Sequence, residues 1–351
     1  MSTITWARDG ARDAVGFVET WLVGAKRATY GLSAARILVG VALLGILVAN
    51  FGTRHAVWGP GSSWIDAYRQ TTGFDSLSGI FAGESPIVFT LKYFALALVA
   101  VAVIVGWRTR LATAVLAIGM TALVERNGLV GDQGDNIARI GLVLMLFMST
   151  AEHWSLDARR RRRSARAART GLLGDVLVGR PVLPAWLTNP LHNVALVALA
   201  LQLFILYTAS ALFKVQGELW QNGTALYYPL SLHEYGVFPW LNSLLTLNPV
   251  MVTAATYFAV FVQLFFAIGL LHPVTRRLAL VGVILMHVGI AVLMGLPWFS
   301  LSMIAFDAIF VTSATWRRAE VGVAGRIAQR RARKAEPDGE PQVVDGSVTT
   351  G

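Results

Sequence analysis

Apolar and polar positions along this chain fall into long blocks. Apolar runs recur from Leu32 onward, each bounded by stretches rich in charge, glycine or proline. Eight runs predict membrane spans: Leu32–Asn50, Pro86–Val105, Leu111–Val124, Asn136–Thr150, Leu191–Phe213, Val250–Leu271, Leu278–Leu296 and Trp298–Thr315. A full crossing takes about 20 apolar residues. The third and fourth runs fall short of that, which leaves open a tilted or re-entrant pair. Only Pro297 separates the last two, and it ends a helix by removing a donor and fixing φ. The expected fold is an all-α polytopic transmembrane helical bundle of about eight spans.

Composition supports this reading. Of 351 residues, 55% are hydrophobic and only 14% charged, where a soluble domain carries about 25% charged residues. The net charge of +10 does not point to nucleic acid, because the basic residues are segregated. Of the 30 Lys and Arg, Arg36 and Arg139 fall inside spans. Arg54, Arg69, Lys92, Arg126 and Lys214 fall on the outer side or at its boundary, and the rest lie in segments assigned to the cytoplasm. That bias places both termini inside. A re-entrant third and fourth segment would leave the same bias, so charge alone does not separate eight crossings from six. The basic run Arg159–Arg163, with Arg166 and Arg169, reads as a topology anchor that attracts anionic lipid headgroups. The expected layout is a cytoplasmic segment at 1–27, a transmembrane domain at 28–316, and a basic, then disordered, cytoplasmic tail at 317–351. No cleavable signal peptide is expected, since the first strong apolar run starts near Leu32. Cysteine is absent, which removes disulfides, thiolate metal sites and cysteine nucleophiles.

Chemistry concentrates on the outer side. Segments Phe51–Ser85 and Lys214–Pro249 carry Trp58, Trp64, Tyr68, Phe74 and Phe81, and Trp220, Tyr227, Tyr228, Tyr235, Phe238 and Trp240. They read either as an interfacial aromatic belt or as a lid over a pocket for a flat ring. The hairpin Glu125–Asn136 offers Arg126, Asn127, Asp132, Asp135 and Asn136 near the same face. Lys214 ends the fifth apolar run and is either a snorkelling anchor or a base, because burial disfavours an ammonium and leaves an amine able to take a proton. His287, Asp307 and Arg139 lie within spans, where an ionisable group is costly and faces a partner or a wet cavity. Arg139 and Asp307 are a candidate ion pair. Asn222-Gly223-Thr224 fits the N-glycosylation pattern, which matters only in a secretory organelle. The chain has no P-loop, dinucleotide fingerprint, G-x-S-x-G or H-E-x-x-H.

Three motifs in order carry a resemblance: the polar hairpin with Trp154-Ser155-Leu156-Asp157; Ser210-Ala211-Leu212-Phe213-Lys214 with Trp220 and Asn222-Gly223; and His287-Val288-Gly289-Ile290 through Met294-Gly295 to Phe299-Ser300-Leu301-Ser302-Met303. Over roughly Ala28–Trp316 the chain resembles the horizontally transferred transmembrane (HTTM) domain, the membrane part shared with vitamin K-dependent gamma-glutamyl carboxylase. The resemblance implies a plasma-membrane, carboxylase-like protein in which Lys214 matches the base that deprotonates reduced vitamin K. It implies a reduced naphthoquinone as cofactor, no metal, and a peptide or small protein as a further substrate. Arg126, Asn127, Asp135, Asn136, Trp220, Tyr227, Tyr228 and His287 are the expected substrate- or lipid-binding residues. Two features depart from the carboxylase. No counterpart of its large lumenal domain is expected here, and the position of its hairpin histidine falls near Gly134-Asp135, so that histidine is missing. Other relatives of the domain assist toxin maturation, so a non-enzymatic accessory role in maturing or exporting a peptide is the alternative.

Overall fold

The computed structural model describes residues 3–68, 75–81, 85–164 and 183–335. Arg69, Phe74, Arg166, Arg169 and the tail from Glu336 lie outside the described residues, as does the side chain of Tyr68. Among the described residues every regular element is helical. The principal helices are α1 (Thr3–Val23), α2 (Thr29–Ala49), α3 (Pro86–Val105), α4 (Thr109–Val124), α5 (Gln133–Met145), α6 (Leu156–Ser164), α7 (Ala185–Gln216), α8 (Pro239–Thr246), α9 (Pro249–Leu264), α10 (Pro273–Leu293), α11 (Pro297–Asp307) and α12 (Ser313–Ala335).

Proline and capping residues set many of the starts. Ser85, Asn248 and His272 accept a backbone N–H in the first turn of α3, α9 and α10, and a proline opens each helix. Proline suits that place because its missing N–H has no intrahelical partner there.

Four helices (α2, α3, α7 and α10) are long and apolar enough to cross a membrane, and up to six spans result if each of two bent helix pairs is one span. The expected spans map onto these helices unevenly. Run 86–105 is α3 from end to end. Run 136–150 ends as α-helix at Met145, and α9 stops at Leu264, before the short helix Phe266–Gly269. At about 1.5 Å per residue, α4 and α5 rise roughly 24 and 20 Å, less than the ~30 Å hydrocarbon layer.

Helix α2 is the hub. In its apolar window 61% of residues are buried, against 28% in each of α3, α7 and α10, so it has protein on most sides while the others keep an apolar face outward. It packs chiefly against α11 and α3, and α11 packs in turn on α5 and α10. Residues 311–351 form a separate unit whose described part is the basic helix α12.

The predicted intramembrane cation at Arg36 is completely buried in α2. Its guanidinium donates to the carbonyls of Thr150 (3.1 Å), Val103, Ile104 (2.6 Å) and Trp154 (2.9 Å). It thus occupies the open carbonyl end of α3, where a helix leaves acceptors and partial negative charge. Asp157 completes this clasp. Its carboxylate accepts from the Arg108 and Thr109 amides at 3.1 and 2.8 Å and from the Thr109 hydroxyl at 2.7 Å, at the start of α4. Gly106 joins α3 to α4 with φ 68°, and a Cβ there would stand 2.4 Å from Ser155 Cβ. The Trp154-Ser155-Leu156-Asp157 element is therefore a structural fastening.

Candidate functional site

The expected site residues fall in several places. Arg126, Asn127, Asp135 and Asn136 line a cavity of about 390 Å³, walled also by Glu125, Arg139 and Ile65. Two of them are tied to the outer segment: Arg126 Nε donates to the Trp58 carbonyl at 2.5 Å, and Asn127 Nδ2 to that of Val57 at 3.0 Å. Asp135 closes a capping box with Asp132 at the start of α5, its side chain accepting from the Asp132 amide at 3.1 Å. In this hairpin, ahead of the run that begins at Asn136, burial pushes the Asp135 carboxyl up to about 6, opposed by the hydrogen bond from the Asp132 amide, aided by the Asp132 charge and opposed by that of Arg139.

Arg139 and Asp307 do not pair. Arg139 bonds Glu125 at 2.6 Å and Asn136 at 2.8 Å. Asp307 accepts instead from the Tyr207 hydroxyl at 2.8 Å. A carboxylate 14 residues away across the hairpin satisfies the guanidinium locally, which the positions of two isolated charges could not reveal.

Lys214 stands at the last turn of α7 and is bonded within a small polar ring. Its Nζ donates to Ser210 Oγ at 2.6 Å and to Gln263 Oε1 at 2.7 Å, and Ser210 Oγ donates to the same Gln263 oxygen at 3.3 Å. Gln263 is supplied by α9. The Trp220 ring lies 5.3 Å from the ammonium. Among the described residues no carboxylate lies within ion-pair distance of Lys214. Tyr227 and Tyr228 meet edge to face at 5.8 Å and stay about half exposed.

His287 belongs to a third group. Its Nε2 lies 3.2 Å from the Tyr207 hydroxyl, which bonds Asp307 on the other side. Tyr207, Ser210 and Lys214 are spaced i, i+3 and i+7, so they share one stripe of α7. That spacing was the available signal for Tyr207; Gln263 had none, being a lone amide in an apolar helix. Phe299 stands between the triad and the hairpin helix. Its ring meets His287 at 5.8 Å, and its Cα lies 3.0 Å from a Cβ placed on Gly134. Among the described residues no three His, Asp or Glu side chains converge as a metal site.

Over 217 residues the chain is 25% identical to the sporulation-delaying protein SdpB of Bacillus subtilis (strain 168), covering 59% of this chain and 59% of that protein. The chain thus matches less than two thirds of that relative's length. No protein-family model and no solved structure matches the chain.

Proposed function

We propose that this helical membrane protein is of the HTTM type, crosses the plasma membrane about eight times with both termini cytoplasmic, and uses Lys214 as a base toward a reduced naphthoquinone or similar lipid. The observation that carries the reading is the setting of Lys214. A lysine that only anchored a helix would extend to water or phosphate. Here the amine is turned onto Ser210 and Gln263, with an indole face beside it and, among the described residues, no carboxylate counter-ion in contact. Two N–H donors engaged by those oxygens leave a neutral amine one lone pair for a proton. The Trp220 face suits a flat ring, and the outward apolar faces of α7 and α9 suit a lipid tail.

In the second reading the chain is a non-enzymatic partner that helps mature or export a peptide. The similarity to SdpB, whose name ties that protein to sporulation delay, favours it. Mass spectrometry of molecules that co-purify with the protein separates the two: a naphthoquinone supports the enzyme, a peptide the accessory role.

The direct test replaces Lys214. An arginine keeps the charge and can anchor, but it stays protonated and cannot act as a base. Lys214→Arg and Lys214→Ala are expected to insert normally and to lose quinol-dependent oxygen consumption by about 10²-fold or more, the usual share of a general base. An oxygen electrode with reduced naphthoquinone reads this out. Full activity in Lys214→Arg overturns the assignment.

A further inference from the structure

Three helices each bring one ionisable side chain to a common point. Tyr207 of α7, His287 of α10 and Asp307 of α11 are all at most 2% exposed. The Tyr207 hydroxyl has a single proton and donates it to Asp307 Oδ2 at 2.8 Å. Toward His287 Nε2, at 3.2 Å, it must therefore accept. The imidazole proton then sits on Nε2, and Nδ1 carries a lone pair. Nδ1 is buried without a partner, as are Asp307 Oδ1 and the hydroxyl oxygens of Ser300 and Ser302 on the same helix as Asp307. Buried polar atoms are normally satisfied, and each exception calls for an explanation.

The donors all point one way, from His287 through Tyr207 to Asp307. We propose that this triad is a proton wire, entered at His287 Nδ1 and ending on the Asp307 carboxylate. A hydronium ion delivers a proton to Nδ1: its O–H bond breaks, an N–H bond forms and water is left. The Nε2–H bond breaks and its proton passes to the Tyr207 oxygen. The original Tyr207 O–H bond breaks and its proton passes to Asp307 Oδ2. One proton enters and one arrives. Histidine changes tautomer, tyrosine is restored, the carboxylate becomes an acid, and nothing is oxidised or reduced. Return runs through the same bonds in reverse.

The surroundings fit proton storage better than ion pairing. The rings of Phe266 and Phe299 pack on Tyr207 and His287 at 4.7 and 5.8 Å. Charged groups on the packed helices are engaged elsewhere: Arg36 of α2 with four carbonyls, Arg139 of α5 with Glu125, Asp135 with the Asp132 amide, and Lys214 with Ser210 and Gln263. The inference goes beyond the proposed function: Lys214 bonds Ser210 and Gln263, and the triad bonds only within itself, seven residues away along the same helix. The wire itself needs no quinol.

The test is infrared spectroscopy of the full chain in lipid nanodiscs, with carboxyl-labelled aspartate and no quinone present. The expected result is a carbonyl band of a protonated aspartic acid, absent in Asp307→Asn and moved in frequency in Asp307→Glu. On transfer to heavy water its deuterium shift is expected to slow by at least about tenfold in Tyr207→Phe, which keeps the ring and removes one link of the wire. The same slowing is expected in His287→Phe. Thermal melting of each variant reports folding separately. Absence of an Asp307 acid band at every pH at which the protein is folded overturns the proposal. So does a deuterium shift as fast in Tyr207→Phe as in the parent chain. Absence of quinol-dependent oxygen consumption in the parent chain would count against the proposed function and leave the infrared result standing.

Discussion

At the scale of single residues, the buried charges divide by how each is satisfied. Arg36 meets four backbone carbonyls from two segments, through a planar fork that lysine cannot reproduce. Arg36→Lys and Arg36→Leu are both expected to destabilise the protein, the second by about 3–5 kcal/mol, in the range for breaking a buried charged network. Denaturation in detergent followed by helical circular dichroism measures this. Asp135 gives a pH signature. Its folded-state value of about 6 lies above the ordinary 3.8, so folding favours the protonated form. Its contribution is most favourable below the ordinary value, falls as pH rises from about 4 to about 6, and is flat above that. Asp135→Asn keeps an acceptor for the Asp132 amide and is expected to remove that slope from the stability–pH curve. Persistence of the same slope in the variant would assign it to another group. Much of this level was legible as residue type but not as pairing. Arg36, Arg139, His287 and Asp307 stand out in apolar runs because charge there is costly. Their partners come from helices far apart in sequence or, for Arg36, from backbone carbonyls that no side-chain pattern encodes.

At the scale of elements, sequence was legible where punctuation is chemical. The bounds of α3 follow from Ser85, Pro86 and Gly106, which cap, start and stop a helix. The end of α9 at Leu264 has no such mark, because Gln263 and Phe265 neither fix nor free the backbone. Close packing was equally hidden. Gly141 of α5 lies so near Phe306 of α11 that an added Cβ would stand 2.1 Å from the ring. Gly141→Ala is expected to cost about 1–3 kcal/mol by overpacking. Gly16→Ala, where nothing lies within 4 Å, serves as the control. Equal melting temperatures for the two variants would show that Phe306 yields without cost.

At the scale of the whole molecule, the charge bias makes orientation testable. The native chain has no cysteine, so single cysteines are clean reporters. Replacement of Ser231 is expected to react with an impermeant thiol reagent in intact cells, and replacement of Arg163 only after permeabilisation. The opposite pattern would invert the proposed topology. The hydrophobic blocks were enough to indicate a helical membrane protein, because every backbone polar group in lipid must be satisfied within a helix or a closed barrel. They were not enough for the span count, since α4 and α5 are short and joined by a polar hairpin.

The clasp around Arg36 also sets an order of events during synthesis. Two of the carbonyls that satisfy its guanidinium lie 114 and 118 residues downstream, and the other two lie 67 and 68 residues downstream. At roughly 5–20 residues per second, the ribosome reaches Thr150 about 6–23 s after Arg36. For that interval α2 carries a guanidinium without its full set of acceptors. The hub of the bundle is thus among the first helices made but is fastened only once the chain has reached Trp154, and until the Thr150–Trp154 stretch arrives the nascent chain depends on the insertion machinery, or on water and headgroups, to shelter one arginine.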